Sequence, residues 1–396
     1  MLITFVSNYF NHHQRAFCDA MSAIPDVEFT FIQMEDMEAE RIRMGWAPDI
    51  SAFPYVLEYK GNEERCRKLM LDSDMTIFGG VDERLAYERQ DKGRATIRYS
   101  ERIYKEGQWK FISPRGLIKK NRDHTRYKGM PVYLLCAGGY VASDFSLIQA
   151  YPDKKYVWGY FPEVKEYSTS ELHSERIDDG TVRLLWCGRM IDWKHPEEAL
   201  DVCSYLDKRG VKCVLDFVGG GEQEEHIREE AMKRGVPGLA HFNGFKTPEE
   251  TREYMRRADI FLFTSDQKEG WGAVLNEAMN SGCAIVASHA IGAVPFMMRH
   301  GVNGYVYKSG NSKEAGEYAY ALAKDRQLRQ KLGYAAYDTV AQYWNAQYGA
   351  ERLYGFIRHV LYSEEWIPEE RNGLPHPMQK APEIKPGEGY RFVRGK

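Results

Sequence analysis

Short apolar runs alternate with longer helical patterns along most of the chain, which is typical of parallel-sheet α/β folding. In the first half, helical patterns at 62–73 and 139–151 separate the apolar runs. This half closes with the aromatic segment 158–162, which suits a strand that leads into a linker. The strands predicted for the first half are residues 2–7, 27–34, 74–79, 132–137 and 155–161.

The second half repeats this alternation with clearer helix boundaries. A helix is predicted at 196–209, and Gly210 ends it with a left-handed conformation. Another helix begins at Thr247 with a capping box and carries Pro248 at its first position. These units predict a Rossmann-like domain. Its predicted strands are residues 182–187, 213–218, 240–245, 259–264, 283–288 and 304–307.

Changes in composition divide the chain further. A polar stretch rich in Glu, Ser, Asp and Gly predicts a linker. Apolar residues at i, i+3, i+4, i+7 and i+8 from Leu353 predict an amphipathic helix near the end of the chain. After Trp366, five prolines interrupt a polar tail that we expect to be extended or disordered. The predicted divisions are a first domain at 1–165, the linker at 166–180, a second domain at 181–345, the helix at 346–366 and the tail at 367–396.

Composition narrows the class of protein. A chain of 396 residues is too long for one ordinary core, and a net charge of −3 argues against general nucleic-acid binding. The seven cysteines are scattered singly, which predicts buried, reduced thiols in a cytoplasmic protein. A catalytic cysteine is disfavoured because none has a histidine nearby in sequence. We find neither a secretory signal nor a run of about 18 apolar residues, so no membrane span is expected.

The segment 269–277, Glu-Gly-Trp-Gly-Ala-Val-Leu-Asn-Glu, carries the most informative chemistry. It follows a predicted strand and starts a helix, and ligands bind at the carboxyl ends of strands in open α/β sheets. Gly270 and Gly272 let a ligand approach the backbone, and the first helical amides attract an anion. Glu269 and Glu277, a carboxylate before the helix and another inside it, are placed to hold two sets of hydroxyl groups.

A second cluster, at 187–195, follows the first strand of the same domain. Arg189 and Lys194 lie in its strand-to-helix loop, and an Arg fork with a Lys point charge suits a diphosphate. The glycine run 219–221 follows the next strand and is weak evidence alone. Glycine-rich turns and acidic pairs are common by chance, but the order of these clusters in one domain strengthens the functional interpretation.

With these motifs the second half resembles the retaining GT-B glycosyltransferases of family four, also called group 1. Glu269 and Glu277 match the E-x7-E signature, and Gly188, Arg189 and Lys194 match the family's basic loop. The resemblance implies an α/β fold of the GT-B architecture, in which two Rossmann-like domains face each other across a cleft and a C-terminal helix crosses back to the first. It also implies transfer of a hexosyl group from a nucleotide-diphosphate sugar, which is a substrate, so that no cofactor is expected.

The resemblance further implies a role for each matching residue. Glu269 would contact the sugar near its anomeric centre, Glu277 the ribose hydroxyls, and Arg189 with Lys194 the diphosphate. Retention is attributed to front-face attack, with the leaving phosphate accepting the acceptor's proton and no metal required. The remaining donor-binding residues implied are Gly188, Gly270, Trp271, Gly272, Ala273, Val274, Phe245 and Lys246.

Other classes of function remain as alternatives. A glycosidase also uses two carboxylates, but neither a glycine-rich helix start nor paired cations serve that chemistry. A non-catalytic GT-B protein that only binds nucleotide sugars or glycans, and a GT-B epimerase, share the same residues and differ in product. The family as a whole favours a glycan or lipid-linked acceptor, bacterial cell-surface polysaccharide synthesis, and a cytoplasmic site at the inner face of the membrane.

The first half departs from the family pattern. The loop after its first strand contains Asn11, His12 and His13 in place of the usual glycines, and these residues would bind acceptor or sugar or else serve as caps and solvated groups. The family's histidine after the fourth strand is absent, and Glu101 is the predicted replacement.

Residues 94–128 form a basic segment interleaved with aromatic and aliphatic residues. Eleven Lys or Arg stand against three Asp or Glu, a local net charge of +8. This composition predicts contact with an anionic membrane surface, and the alternative is an ordinary solvated face.

Overall fold

The computed structural model describes residues 1–38, 41–42, 48–168, 170–367 and 373–395. The chain forms two compact units. The first unit contains Met1–Glu163 and Tyr343–Lys385, and the second contains Val164–Gln342 and the residues from Pro386 onward. The polypeptide therefore passes between the units three times.

The first unit is built on a seven-stranded sheet in the order β3-β2-β1-β4-β5-β6-β7, with every pair parallel. Two strands, β3 and β5, were not among the predicted ones. The strands are β1 Leu2–Ser7, β2 Glu28–Gln33, β3 Val56–Glu58, β4 Met75–Gly79, β5 Thr96–Ser100, β6 Val132–Ala137 and β7 Lys155–Trp158. The helices between them are α1 His12–Ser22, α2 Glu63–Asp72, α3 Tyr87–Asp91, α4 Pro114–Asp123 and α5 Val141–Leu147.

The second unit contains a six-stranded parallel sheet in the order β10-β9-β8-β11-β12-β13. Its core is formed by apolar side chains of the strands and flanking helices, such as Leu184, Leu215 and Ile260, each 0% exposed. The strands are β8 Val182–Cys187, β9 Cys213–Val218, β10 Ala240–Phe242, β11 Ile260–Phe263, β12 Ala284–Ser288 and β13 Tyr305–Tyr307. The helices are α6 Pro196–Asp207, α7 Glu224–Lys233, α8 Pro248–Arg257, α9 Val274–Asn280, α10 Val294–Met297, α11 Ser312–Lys324 and α12 Arg326–Tyr343.

The amphipathic pattern near the C-terminus forms helix α13, Ala346–Tyr362, which packs against α1 of the first unit. Its apolar side is buried, and the ring of Phe356 lies 5.2 Å from that of Tyr133 and 4.6 Å from that of Tyr156 between centroids. The aromatic contacts explain why the helix returns to the first sheet, because its apolar face finds its partner there.

Residues 378–380 of the C-terminal tail pack against strand β7. Val157 donates a backbone hydrogen bond to Gln379 and accepts one from Met378, so the tail lies antiparallel against the edge strand β7. Covering an edge strand removes a site of unwanted strand pairing. Farther on, α14 Gly389–Phe392 belongs to the second unit.

Membrane-spanning helices are absent from the described ranges, where no helix combines the length and the apolar character that a bilayer requires.

Candidate functional site

The second sheet reverses its strand order between β8 and β11, and this is where ligands bind in open α/β sheets. The chain runs outward from β8 to β9 and β10 on one side, and from β11 to β12 and β13 on the other. The loops after β8 and β11 therefore flank the crevice at the carboxyl edge of the sheet. These loops contain the two clusters that the sequence singled out, 187–195 and 269–277.

Glycines bring the loop after β9 into backbone contact with the loop after β8. A Cβ on Gly219 would lie 2.0 Å from the carbonyl oxygen of Gly188, and one on Gly221 would lie 2.6 Å from that of Met190. Both glycines have positive φ, at 117° and 154°. The amide of Met190 donates to the carbonyl of Gly220 at 2.8 Å. The glycine run thus has a structural role, which is to let these two loops touch.

Three contacts tie the loop after β8 to the loop after β11. The hydroxyl of Thr264 donates to the carbonyl of Lys194 at 2.6 Å, and the amide of Asp266 donates to the carbonyl of Trp193 at 2.8 Å. The third contact is the ring of His195, whose Nε2 lies 3.5 Å from the Asp266 carboxylate. The two loops therefore hold one another in a single arrangement.

His195 is cationic at neutral pH in this setting. Hydrogen bonds to the carboxylates of Asp266 and Glu197 raise the pKa of His195 to about 10. Its backbone is left-handed, with φ 46° and ψ 54°, at the cap position before Pro196 and α6. His195 was not assigned from sequence, because neither this conformation nor its contact with Asp266 is visible in the local pattern.

The predicted residues Lys194 and Glu269 form an ion pair at the crevice. Lys194 Nζ lies 2.5 Å from Glu269 Oε2, and each side chain is only 15% exposed. The hydroxyl of Ser265 donates to the same carboxylate oxygen at 3.1 Å. Gly188 is adjacent, since a Cβ there would lie 3.2 Å from Lys194 Cδ.

Arg189 is exposed in the same loop and makes no ion pair within the described part of the chain. Its guanidinium is therefore available to an anionic ligand at low desolvation cost. Together with Lys194 and protonated His195 it makes this loop basic.

Residues 270–274, at the start of α9, contain two glycines and a buried tryptophan. Trp271 is 0% exposed, and its indole donates to Asn276 at 3.0 Å, so that its side chain belongs to the core. Gly272 has φ 90°, which only glycine adopts without strain. The amides of Gly272, Ala273 and Val274 donate no hydrogen bond within the described residues, and they precede or begin α9. Such amides attract an anion.

The loop after β12 holds this backbone segment through two hydrogen bonds. Gly292 donates from its amide to the carbonyl of Glu269 at 3.2 Å, and Ala293 donates to that of Trp271 at 3.1 Å. A Cβ on Gly292 would lie 1.7 Å from the carbonyl oxygen of Gly270. Gly292 was missed from sequence because a lone glycine gives no sign of which backbone it touches.

Glu277 lies in the first turn of α9 and is partly buried. Burial raises the pKa of Glu277 to about 7, although the positive charge of Arg252 opposes the shift. A carboxyl group with this pKa changes charge near neutral pH.

Phe245 and Lys246 follow β10, the edge strand beside β9. The Phe245 ring is 49% exposed and lies beside Gly220, where a Cβ would be 3.2 Å from the ring. An exposed aromatic ring next to a glycine loop offers a flat apolar surface for a planar ligand group.

The residues that were predicted to bind the acceptor or the sugar belong to the first unit. Asn11 caps α1 by accepting a hydrogen bond from the amide of His13 at 2.9 Å. His12 and His13 occupy the first turn of α1, with ring centroids 3.8 Å apart. Glu101 follows β5, pairs with Lys105 at 2.6 Å and accepts from the Tyr160 hydroxyl at 2.9 Å.

Part of the chain is similar to proteins of known families. Residues 169–339 match the family model described as Glycosyl transferases group 1. Over 137 residues the chain is 28% identical to the amylovoran biosynthesis glycosyltransferase AmsK of Erwinia amylovora, covering 33% of this chain and 33% of that protein. Over 121 residues it is 27% identical to the N-acetyl-alpha-D-glucosaminyl L-malate synthase of Bacillus anthracis, covering 31% and 30%. The matches thus span about a third of these curated relatives' length.

The solved structures extend the likeness in fold to most of the chain. HepE of Anabaena, solved in complex with UDP-glucose, superposes with a TM-score of 0.64 at 15% identity, covering 92% of this chain and 100% of HepE. With the two parallel sheets, this likeness confirms the predicted α/β fold class, GT-B with two Rossmann-like domains.

Proposed function

We propose that this chain is a glycosyltransferase that moves a hexosyl group from a nucleotide-diphosphate sugar to a glycan or lipid-linked acceptor. The proposal starts from residues 169–339, which match the family model of the group 1 glycosyl transferases. The observation that carries the proposal is the Lys194–Glu269 pair at the switch point of the second sheet. A carboxylate for sugar hydroxyls and a cation for phosphate lie there side by side.

The donor's diphosphate would bind to cations and backbone amides. Arg189 supplies an exposed guanidinium and Lys194 a second positive charge, while the amides of Gly272 to Val274 supply neutral donors. Negative charge develops on the departing diphosphate as the sugar leaves, and prearranged donors stabilise that charge in the transition state. This arrangement supports transfer without a metal ion.

The sugar and nucleoside would be held by the two carboxylates and the exposed ring. Glu269, fixed by Lys194 and Ser265, would accept hydrogen bonds from sugar hydroxyls near the anomeric carbon. Glu277 would accept from the ribose hydroxyls, and Phe245 with Lys246 would lie beside the base. In the retaining mechanism that the family pattern implies, the leaving phosphate takes the acceptor's proton on the face from which it departs.

The relatives indicate which acceptor and donor to test first. AmsK acts in amylovoran biosynthesis, and HepE is solved with UDP-glucose, so a UDP-hexose and a glycan or lipid-linked acceptor are the first substrates to test. Asn11, His12, His13 and Glu101 of the first unit are the proposed acceptor or sugar contacts. A cytoplasmic site at the inner face of the cell membrane fits such substrates.

The test is a screen of UDP-, GDP-, dTDP- and ADP-sugars by thermal shift and donor hydrolysis, with and without EDTA. We expect one donor to stabilise the protein selectively, and EDTA to leave the shift unchanged. Arg189→Ala should weaken donor binding by about 10- to 150-fold, the cost of one charge-assisted contact. Arg257→Ala, which removes another exposed arginine from α8, is the matched control and should bind donor normally.

Product analysis separates the alternatives. A glycoside with retained anomeric configuration supports the proposal. An epimerised donor, or donor binding without turnover in the presence of acceptors, would replace it with the epimerase or binding-protein alternative. Failure of every nucleotide sugar to bind a well-folded sample would refute it.

A further inference from the structure

His195 has a left-handed backbone although it carries a side chain. Its φ is 46° and its ψ is 54°, a conformation that glycine adopts freely and that strains a residue with a Cβ. Its amide donates to the carbonyl of Asp192 at 3.3 Å, and its carbonyl accepts from the amide of Glu198 at 3.1 Å. Glycine would make both backbone contacts with less strain. Because strained residues cluster at functional sites, the imidazole at this position points to a use for the ring.

Both nitrogens of the His195 ring contact carboxylates. Nδ1 lies 2.9 Å from Oε1 of Glu197, in the first turn of α6, and Nε2 lies 3.5 Å from Oδ2 of Asp266, in the loop after β11. Asp266 and Glu197 raise the pKa of His195 to about 10, and only the cationic ring donates from both nitrogens at once. The ring therefore joins the start of α6 to the loop after β11 through two charge-assisted contacts.

Asp266 begins the turn that ends at Glu269. Its carbonyl accepts from the amide of Glu269 at 3.2 Å, and its second carboxylate oxygen, Oδ1, accepts from the amide of Lys268 at 2.8 Å. Burial would raise the pKa of Asp266, but the hydrogen bonds from His195 and from the amide of Lys268 lower it, so this carboxyl group is ionised. The turn 266–269 is thus built on a carboxylate that the His195 ring contacts from the loop after β8.

The ion pair between Lys194 and Glu269 has to open when a donor binds, because phosphate and sugar hydroxyls then take the place of its internal contact. While it is open, the pair no longer holds its own two side chains in position. The contacts that remain between the two loops are the hydrogen bonds of Thr264 and Asp266 with backbone carbonyls and the contact of the His195 ring. The ring contributes the charged contact of this set.

We propose that His195 is a positioning residue for the transfer reaction. Its ring holds the turn 266–269 against the start of α6, and this keeps Glu269 and Lys194 in place for transfer after the donor has separated them. The role rests on the proposed function. His195 acts through Asp266 and Glu197, since both of its nitrogens are engaged by these carboxylates. A displacement of about 1 Å at a reacting group lowers a rate about 100-fold, so a positioning contact of this kind has a large kinetic effect.

His195→Gly separates the ring from the backbone. Glycine keeps the left-handed conformation without strain, so the variant should fold, and only the ring contacts are lost. We expect kcat to fall about 100-fold while KM for the donor changes less than about threefold, because the groups that act in the transition state are displaced. A ring with a structural role alone predicts a wild-type kcat instead. Steady-state kinetics with donor and acceptor measure both parameters.

Two further variants test the path of the effect. Asp153→Gly makes the same backbone change at an exposed left-handed residue of the first unit, φ 55°, and should keep the wild-type kcat. Asp266→Asn should lower kcat as His195→Gly does, because it removes the charge that the ring holds. The variant with both substitutions should be no slower than either alone, since two residues that act through one contact are not additive.

Hydrogen exchange tests the contact without donor or acceptor. The amides of Asp266, Lys268 and Glu269 all donate hydrogen bonds that depend on the turn 266–269. They should exchange faster in His195→Gly than in the wild type, and at the wild-type rate in Asp153→Gly.

Wild-type kcat in His195→Gly, unchanged exchange of the three amides, or additive losses in the double variant would each overturn the positioning role. These results are distinct from a failure of the proposed function. If the wild type itself turns over no nucleotide sugar, the proposed function fails and the positioning role fails with it. If the wild type is active and His195→Gly is equally active, the positioning role alone is refuted.

Discussion

Lys194 and Glu269 are largely buried, so each depends on the other for compensation of its charge. Removing one partner of such a pair leaves an uncompensated charge, whereas a ligand that brings phosphate and hydroxyl groups satisfies both. The pair is therefore suited to a site that alternates between an internal contact and a bound anionic sugar. Thr264 and Asp266 hold the backbone around Lys194, which makes its position independent of the pair itself.

We predict that Glu269→Gln lowers kcat/KM by about 10- to 150-fold, mainly through kcat, because the hydrogen bonds of the carboxylate with the sugar strengthen as the sugar departs. Steady-state kinetics and donor titration measure the two effects. Glu253→Gln, an exposed glutamate of α8, is the control. Wild-type kcat in Glu269→Gln would remove Glu269 from the reaction.

We expect the charge of Glu277 to make donor binding depend on pH. If its carboxylate holds the ribose hydroxyls, donor affinity should rise as pH increases through about 7, where burial has placed its pKa. Glu277→Gln should bind weakly and without this dependence. Calorimetric titration between about pH 5.5 and about pH 8.5, in steps of about one unit, measures the slope.

The pH dependence of the free energy of unfolding tests the raised pKa of Glu277 independently, and its sign is opposite to that of donor binding. Folding raises the pKa of Glu277 from its ordinary value of 4.5 to about 7. The folded protein therefore binds more protons than the unfolded chain between about pH 4.5 and pH 7. The free energy of unfolding should therefore fall across this range as pH rises. Denaturant unfolding of Glu277→Gln should lack that contribution, and an identical pH profile would contradict the raised pKa.

At the scale of elements, the site is a set of strand-end loops that touch through glycine. The loops after β8 and β9 meet at Gly219 and Gly221, and those after β11 and β12 meet at Gly292. None of these contacts leaves room for a side chain. At these three glycines the loop positions are therefore determined by backbone packing.

Gly292→Ala should displace the loop that carries Glu269, since its Cβ would overlap the carbonyl of Gly270. We expect a loss of about 1–3 kcal/mol in the free energy of unfolding and a larger fractional loss of donor binding. Thermal unfolding and donor titration measure both. Gly238→Ala meets no atom within 4 Å and is the control. Normal donor binding by Gly292→Ala would show that the loop contact is not needed.

At the scale of the whole molecule, the last residues complete the second unit. Arg394 pairs with Glu314 of α11 at 3.1 Å, and the carbonyl of Val393 accepts from the amide of His300 at 3.0 Å. Val393 is 3% exposed. The final segment is thus part of the second unit's packing and not an appendage.

Ending the chain after Lys385 should destabilise the second unit by about 1.5–3 kcal/mol, the cost of a lost hydrogen bond to a charged group. Hydrogen exchange should speed up in α11 and β13 while α13 of the first unit is unaffected. Arg394→Gln should reproduce part of this change, and exposed Arg391→Gln should not. Uniform exchange rates in the truncated and full chains would refute the role of the segment.

Local patterns predicted the buried elements well. Strands such as β8, β9, β11 and β12 are largely apolar because both faces of a parallel sheet are covered. Two strands escaped prediction for opposite reasons. β3 is a short, partly exposed edge strand, and β5 contains Arg98, whose burial depends on Glu83.

The loops of the candidate site were predicted for a similar reason. Glycines and charges directly after apolar strands indicate the loops of a carboxyl edge, and the predicted residues Glu269, Lys194 and Arg189 lie in these loops. Whether an aromatic side chain in such a loop faces the ligand or the core is not local information. Trp271 lies in the core, where its indole N–H finds Asn276 as a buried acceptor.

The sequence by itself determined the fold class, the order of the sheets' strand–helix units and the loops that carry charge, because these follow from periodicity over a few neighbouring residues. Only the tertiary structure decided which charges remain available. Hydrogen bonds to Asp266 and Glu197 raise the pKa of His195. Ion pairs with Asp72, Glu83, Asp91 and Asp144 neutralise much of the basic segment. Ion pairs join residues that are distant in the chain, and electrostatic energy depends on distance in space, so no local pattern encodes them.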